Sequence, residues 1–303
     1  MEDEATKSEQ AGAFWDGWEA WRAAQPPRIR WNESEEIVRH VNARICGRPV
    51  DGFNQGLIDL FRERAGSDIP LARAVSVGCG NGGKEMTLLQ QGLVQHFDLY
   101  DVSRASLDIG VALAAEWGLS ERTNFIHGDA CAQPADASYD LVFWDNSLHH
   151  MFDAHAAVRW SRDSLRPGGW FVMNDFVGAD RFQFPTSALL LTRLVRTLLP
   201  QRYRANPADP NRPYLPYVRR PTLAEMAYDP SEAADSEAII PALREIFPDA
   251  WIKPTGGTVY HLALNDILTN IPDGSPLLTR LLKLDDLTSF IPHFAVAIAR
   301  KPM

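Results

Sequence analysis

Residues 73–83 read RAVSVGCGNGG. A short apolar run breaks into glycines, and a helical stretch follows from about Lys84. Such a junction needs residues that turn sharply and let a ligand approach with no Cβ in the way. Gly78 to Gly83 also satisfies GxGxxG, the pattern of dinucleotide-binding turns. Outward from this turn, apolar runs alternate with helical stretches. HFDLY (96–100) precedes a helix from Ser103 to about Trp117, and TNFIH (123–127) follows it. YDLVFW (139–144) precedes a helix from about Ala154 to Leu165, and GWFVMN (169–174) comes next. Strands separated by helices predict parallel pairing through right-handed crossovers, hence a doubly wound, Rossmann-like α/β sheet. The runs are nearly all apolar, as strands covered on both faces must be.

Polar residues gather where these runs end. Asp101 closes the second strand, about 21 residues after Gly80. A carboxylate there can accept hydrogen bonds from both ribose hydroxyls of a nucleoside. Ser103 is the better cap for the following helix, which frees Asp101 for that task. His127-Gly128-Asp129-Ala130 ends the third strand and Asp145-Asn146-Ser147-Leu148-His149-His150 the fourth. Polar side chains clustered where a buried strand exits usually belong to a site. One of the two adjacent histidines is expected to be an ordinary satisfied neighbour. Leu165-Arg166-Pro167-Gly168-Gly169 turns into the strand that delivers Asp175.

With these five signals in register, the chain resembles the class I S-adenosylmethionine-dependent methyltransferases over about residues 70–180. VGCGNG looks like the family's cofactor loop, Asp101 its ribose acid, and Gly128-Asp129-Ala130 its adenine contact. LHHM and LRPGGWFVMND look like its fourth and fifth strand exits. The resemblance implies S-adenosyl-L-methionine as cofactor, lined by Gly78, Cys79, Gly80, Asp101, Val102, Asp129, Ala130 and Asn146. One position departs: the family usually carries Asp or Glu two residues before the first glycine, and Ser76 stands there. EEIVRHVNARICG, NDFVGADRFQF, DPSEAADSEAI and PTGGTVYHLAL resemble a narrower branch often found with sugar-polymer and natural-product enzymes. The implied reaction is methyl transfer to a small-molecule acceptor, a hydroxyl of a sugar or secondary metabolite. An amine of a small metabolite is the alternative acceptor, and a nicotinamide-dependent oxidoreductase, from the literal GxGxxG, the more distant reading.

Methyl transfer asks the protein to position donor and acceptor and, for a hydroxyl, to supply a base. The candidate bases, in order, are His150, Asp175 and His261. No Asp, Glu or His spacing reads as a metal site; His150 and His155 near Asp153 suit a capped helix start. Trp31, Arg181 and Tyr214 are the expected walls and hooks of an acceptor pocket. Residues 181–231 are too long for a plain connection and read as a lid over the acceptor, with a homodimer contact as their alternative use.

The rest of the chain sets bounds. It has 303 residues, 45% of them hydrophobic and 23% charged, the composition of a folded protein. The reading divides it into an N-terminal tail and helical cap, 1–65, and a methyltransferase-like domain, 66–303. Residues 1–12 read as a frayed tail, 14–31 hold four of the nine tryptophans, and 33–65 read as two helices split near Gly47–Pro49. Seven strands are expected, the last two over about 250–263 and 292–300, with the final one antiparallel. The net charge of −9 argues against a long phosphate-backbone footprint, so no nucleic-acid partner is expected. No apolar run has a membrane-spanning length. Cys46, Cys79 and Cys131 stand far apart, which fits a reducing, cytoplasmic setting.

Overall fold

The computed structural model describes residues 4–18, 24, 29–206 and 218–303. Its strands are β1 Leu71–Val77, β2 Val94–Asp101, β3 Thr123–His127, β4 Tyr139–Asp145, β5 Leu165–Phe176, β6 Trp251–Gly256 and β7 Phe294–Arg300. They form one sheet in the order β3-β2-β1-β4-β5-β7-β6. β1 to β5 are parallel, and β7 runs antiparallel to both β5 and β6. This is the doubly wound, seven-stranded sheet expected.

The helices are α1 Glu4–Asp16, α2 Glu35–Cys46, α3 Gln55–Ala65, α4 Gly83–Gln90, α5 Arg104–Glu116, α6 Ala154–Ser164, α7 Thr186–Leu198, α8 Ile239–Ile246 and α9 Pro276–Leu287. Alternate strand residues feed two cores. Leu141, Phe143 and Val172 pack with α2, α3 and α4 through Ile37, Phe61 and Met86. Val142, Trp144 and Met173 pack on the other face with α6 and α8 through Val158 and Leu243. Every residue of β4 is buried. The strand order reverses between β1 and β4, and at such a switch point the two crossovers leave a crevice at the carboxyl ends.

Three expectations need correction. The strand begun at Trp251 stops at Gly256. Gly256 and Gly257 take φ of +94° and +115°, and Thr258–Ala263 winds into a wide helical turn. A Cβ on Gly256 would lie 1.9 Å from Asp285 Oδ2, so only glycine fits that corner. The N-terminus is not a tail up to residue 12 but helix α1. Its Gly12 lies so close to the β2 exit that a Cβ would be 2.9 Å from the Val102 carbonyl oxygen. From sequence, Asp229 to Phe247 reads as a helix opened by DPSEA, where Asp or Ser can cap, but it forms only at Ile239–Ile246. Before it, Asp229 accepts from the Ser231 amide and Asp235 from the Ala154 amide, so local side chains hold the backbone in turns instead.

Candidate active site

The carboxyl ends of β1 to β4 bring the sequence-predicted cofactor residues to one rim. Gly78 and Gly80 take φ of +66° and +59°. A Cβ on Gly78 would lie 2.7 Å from Ser147 Cβ, so this glycine lets the loop close on the β4 exit. At Gly80 no described atom lies within 4 Å of the Cβ position, so the loop faces open space there. Asp101, buried at the end of β2, accepts from the Gly80 amide at 2.7 Å and from the Ser103 amide at 2.8 Å. Ser103 caps α5 as expected. Burial raises the Asp101 pKa, and those backbone hydrogen bonds offset part of the rise. Each carboxylate oxygen keeps lone-pair capacity for a further donor. Asp129 caps the turn at Ala130 by accepting from the Cys131 amide, and Ala130 is fully buried. Asn146, at φ +55°, donates to Asp145.

An acid does stand behind this loop, although β1 lacks one. Ser76 Oγ donates to Glu85 Oε1 at 2.7 Å, and Glu85 is 1% exposed on α4. Its Oε2 has no hydrogen-bond partner among the described residues. Lys84 Nζ donates to the Asp145 carbonyl at 2.5 Å, and the Asp145 carboxylate also receives Asn54 Nδ2. The sequence signal was the acid in GGKE, on the helix rather than the strand. A backbone cradle open at Gly80 and a carboxylate with spare acceptors at the β2 exit suit a nucleoside with an amino-acid tail.

The exits of β4 and β5 carry the second half of the site. Asp175 is fully buried and accepts from the amides of Ser147, Leu148, His149 and Phe176. It also accepts from His149 Nδ1 at 2.6 Å. Those bonds occupy the carboxylate, so Asp175 is an anchor rather than the base expected of it. The tight turn at Leu148–His150 aims His149, not His150, at Asp175. His149 was not among the candidate bases read from sequence, which were His150, Asp175 and His261. Burial lowers its pKa, but the charge and hydrogen bond of Asp175, with Glu232, outweigh that and hold it above its usual value.

His150, ranked first from sequence, bonds through Nδ1 to Ser231 Oγ at 3.1 Å and meets Trp15 of α1 edge-on at 5.3 Å. Burial and the neighbouring His149 depress its pKa well below the ordinary value. His149 Nε2 lies 3.8 Å from Glu232 Oε1. One ligand atom each from His149, His150 and Glu232 lies within 4.8 Å of the others, so three metal-binding groups converge where the sequence spacing showed none. Glu232 was missed because it comes from a distant turn.

The remaining sequence-predicted residues have other work. Arg181 is not an acceptor hook: its guanidinium donates to the carbonyls of Met226, Asp229, Pro230 and Glu232 and so shapes the turn that carries Glu232. Trp31 is not a pocket wall; it is buried against Phe53, Tyr260 and Phe294. Tyr214 lies outside the described residues. His261 sits in the wide turn rather than a strand, its Nδ1 3.3 Å from His293 Nδ1. Burial, helped by His149, pushes its pKa down to about 4.

Two expected results follow from this geometry. Gly80→Val abolishes cofactor binding by filling the open space, whereas Gly78→Ala lowers the melting temperature by clashing with Ser147. Calorimetry with S-adenosylhomocysteine and a thermal melt separate the two, and unchanged affinity in Gly80→Val would remove the loop from the site. His293 is 1% exposed, stacks on Phe184, and burial with His261 depresses its pKa far below the ordinary value. As pH falls below about 6.5, the unfolded chain takes up a proton at this residue that the folded one refuses. Stability is lost in that direction, by up to about 1.4 kcal/mol per pH unit. His293→Phe removes this loss, so its urea midpoint falls less steeply than wild type between about pH 6.5 and 4.5. Parallel profiles would show that His293 is charged in the fold.

The methyltransferase-domain family profile matches residues 74–169, from Ala74 in β1 to Gly169 in β5. Residues 74–169 thus form a class I S-adenosylmethionine-dependent methyltransferase core. Individual relatives share this likeness. The 27-O-demethylrifamycin SV methyltransferase of Amycolatopsis mediterranei is 28% identical over 148 residues, 48% of this chain and 49% of that protein. The [4+2]-cyclase SpnF has the same fold, with a TM-score of 0.55 at 19% identity over 98% of this chain and 96% of that one. So has phosphoethanolamine N-methyltransferase 2 of Haemonchus contortus, solved with S-adenosyl-L-methionine. Its TM-score is 0.53 at 15% identity, over 91% of this chain and 61% of that one. The chain spans half or less of the length of the first curated relatives it matches. S-adenosylmethionine is the cofactor of this class. Among the described residues, no helix is long and apolar enough to cross a membrane.

Proposed function

We propose that this methyltransferase moves a methyl group from S-adenosylmethionine to a hydroxyl oxygen of a small natural product. The observation that carries the reading is His149, oriented by Asp175, at the β4 and β5 exits. Bound S-adenosylmethionine supplies a methyl group on a sulfonium. The rim of Gly78, Gly80, Asp101, Asp129 and Asn146 holds and orients it. Asp175 keeps His149 in the tautomer with Nδ1 protonated, which leaves the Nε2 lone pair for the acceptor's proton. The same carboxylate steadies the imidazolium that forms. Phe176 and Phe182 pack edge to face beside this corner and offer an apolar wall. The likeness to an enzyme acting on 27-O-demethylrifamycin SV supports an oxygen of a natural product. Residues 181–231 serve as the lid, with Arg181 fixing the turn at 226–232. The test is transfer of labelled methyl from S-adenosylmethionine across a panel of hydroxylated metabolites. Label on oxygen is expected. Label confined to nitrogen, or cofactor binding without transfer, would overturn the reading.

A further inference from the structure

We propose that His149, His150 and Glu232 form a binding site for a divalent transition-metal ion. Their ligand atoms already lie within 4.8 Å of one another, with Glu232 Oε1 3.8 Å from His149 Nε2. Two imidazoles and one carboxylate suit zinc, cobalt or manganese better than magnesium.

The surroundings are those of a prepared site. A histidine that ligates a metal donates its other ring N–H to an acceptor, which fixes tautomer and orientation. Both histidines do so. His149 Nδ1 donates to Asp175. Ser231 Oγ spends its proton on Asp229 Oδ1 at 2.6 Å, so toward His150 Nδ1 it is the acceptor. In its neutral form each ring thus carries its proton on Nδ1 and its lone pair on Nε2. The third ligand is fixed as firmly: Arg181 ties the Glu232 carbonyl, and the Ala234 amide donates to the His149 carbonyl. Two histidines adjacent in the chain and a glutamate from a remote turn are therefore held together by hydrogen bonds to Asp175, Ser231 and Arg181. Asp229 Oδ2, buried behind Ser231 without a partner among the described residues, adds negative charge that favours a cation.

Three protein ligands leave positions for water or for the acceptor's oxygen. The chemistry rests on the hydroxyl-acceptor reading. With the ion in place, the acceptor oxygen enters as a ligand and its proton passes to solvent water. Its lone pair then forms the new C–O bond while the S–CH₃ pair stays on sulfur. The ion then does what the His149 nitrogen does in the ion-free protein, since one lone pair cannot hold both.

Ion binding is testable without any acceptor. Tag-free, chelator-stripped protein is titrated with Co²⁺ and watched for visible d–d absorption. One equivalent should bind, and Zn²⁺ should bleach the band. Glu232→Gln and His150→Gln should abolish it while S-adenosylhomocysteine binding and the thermal melt stay intact. Ser231→Ala, which removes only the acceptor behind His150, should weaken binding about 10–100-fold. No absorption in the wild type, or absorption that survives in both ligand variants, overturns the ion. A protein that binds no Co²⁺ yet labels oxygen keeps the hydroxyl reading and loses the ion. One that binds Co²⁺ yet labels only nitrogen does the reverse.

Discussion

His149→Gln is expected to cut turnover by roughly 10²–10⁴ with affinity for S-adenosylhomocysteine nearly unchanged. The amide can still donate to Asp175, so the turn at 148–150 keeps its anchor, but it cannot take up the acceptor's proton. The loss should fall on kcat rather than on binding of the donor, because His149 stands at the β4 and β5 exits and the donor loop at those of β1 and β2. Asp175→Asn is the less informative change. Four backbone amides depend on that carboxylate, so its effect mixes folding with chemistry. Full turnover in His149→Gln would mean that the enzyme only positions its partners. A nucleophile that already carries a free lone pair, such as an amine, would then be the better acceptor.

Asp285→Ala should destabilise the fold by about 3–5 kcal/mol, the scale of breaking a buried ion pair from one side. Asp285 on α9 is fully buried and accepts from the amides of Gly257 and Val259 and from Arg44 Nη1 at 3.1 Å. Its removal leaves two buried amides without an acceptor and Arg44 with only the half-exposed Asp286, 3.2 Å away, as ion-pair partner. Because total stability is of order 5–15 kcal/mol, the variant should unfold at a much lower urea concentration or fail to accumulate. Arg44 belongs to α2 and Gly257 opens the turn that carries His261, so one carboxylate joins α2 and α9 to that turn. A urea midpoint within error of wild type would show that the contact carries no weight.

Much of this was legible in the chain because burial on both faces makes a strand apolar from end to end. Its exit is then the first place a polar residue can stand. Asp101, Asp129, Asn146 and Asp175 were located at strand exits this way. The antiparallel final strand was likewise expected near where β7 lies. What stayed hidden depended on rotation and on long-range meeting. His149 and His150 are chemically identical neighbours, and only the turn at 148–150 decides which faces Asp175. Glu232 reaches them from a turn held by Arg181, whose guanidinium looked from sequence like a hook for substrate. Trp31 looked like a pocket wall because aromatic stripes serve cores and pockets alike. The helix expected from Asp229 gave way because its Asp and Ser side chains could bind backbone at shorter range.

The strand order also has a consequence for biosynthesis. As the chain is made, β2 can join β1, β3 can join β2, β4 can join β1 and β5 can join β4, each finding a neighbour already in place. β6 finds none. Its neighbour in the sheet is β7, which is translated later and must slot between β5 and β6. Until then the open edge of β5 and the unpaired β6 are both exposed to self-association, the situation chaperones shield. In a refolding experiment with pulsed deuterium labelling, amides of β6 and β7 should gain protection together, and after those of β1 and β4.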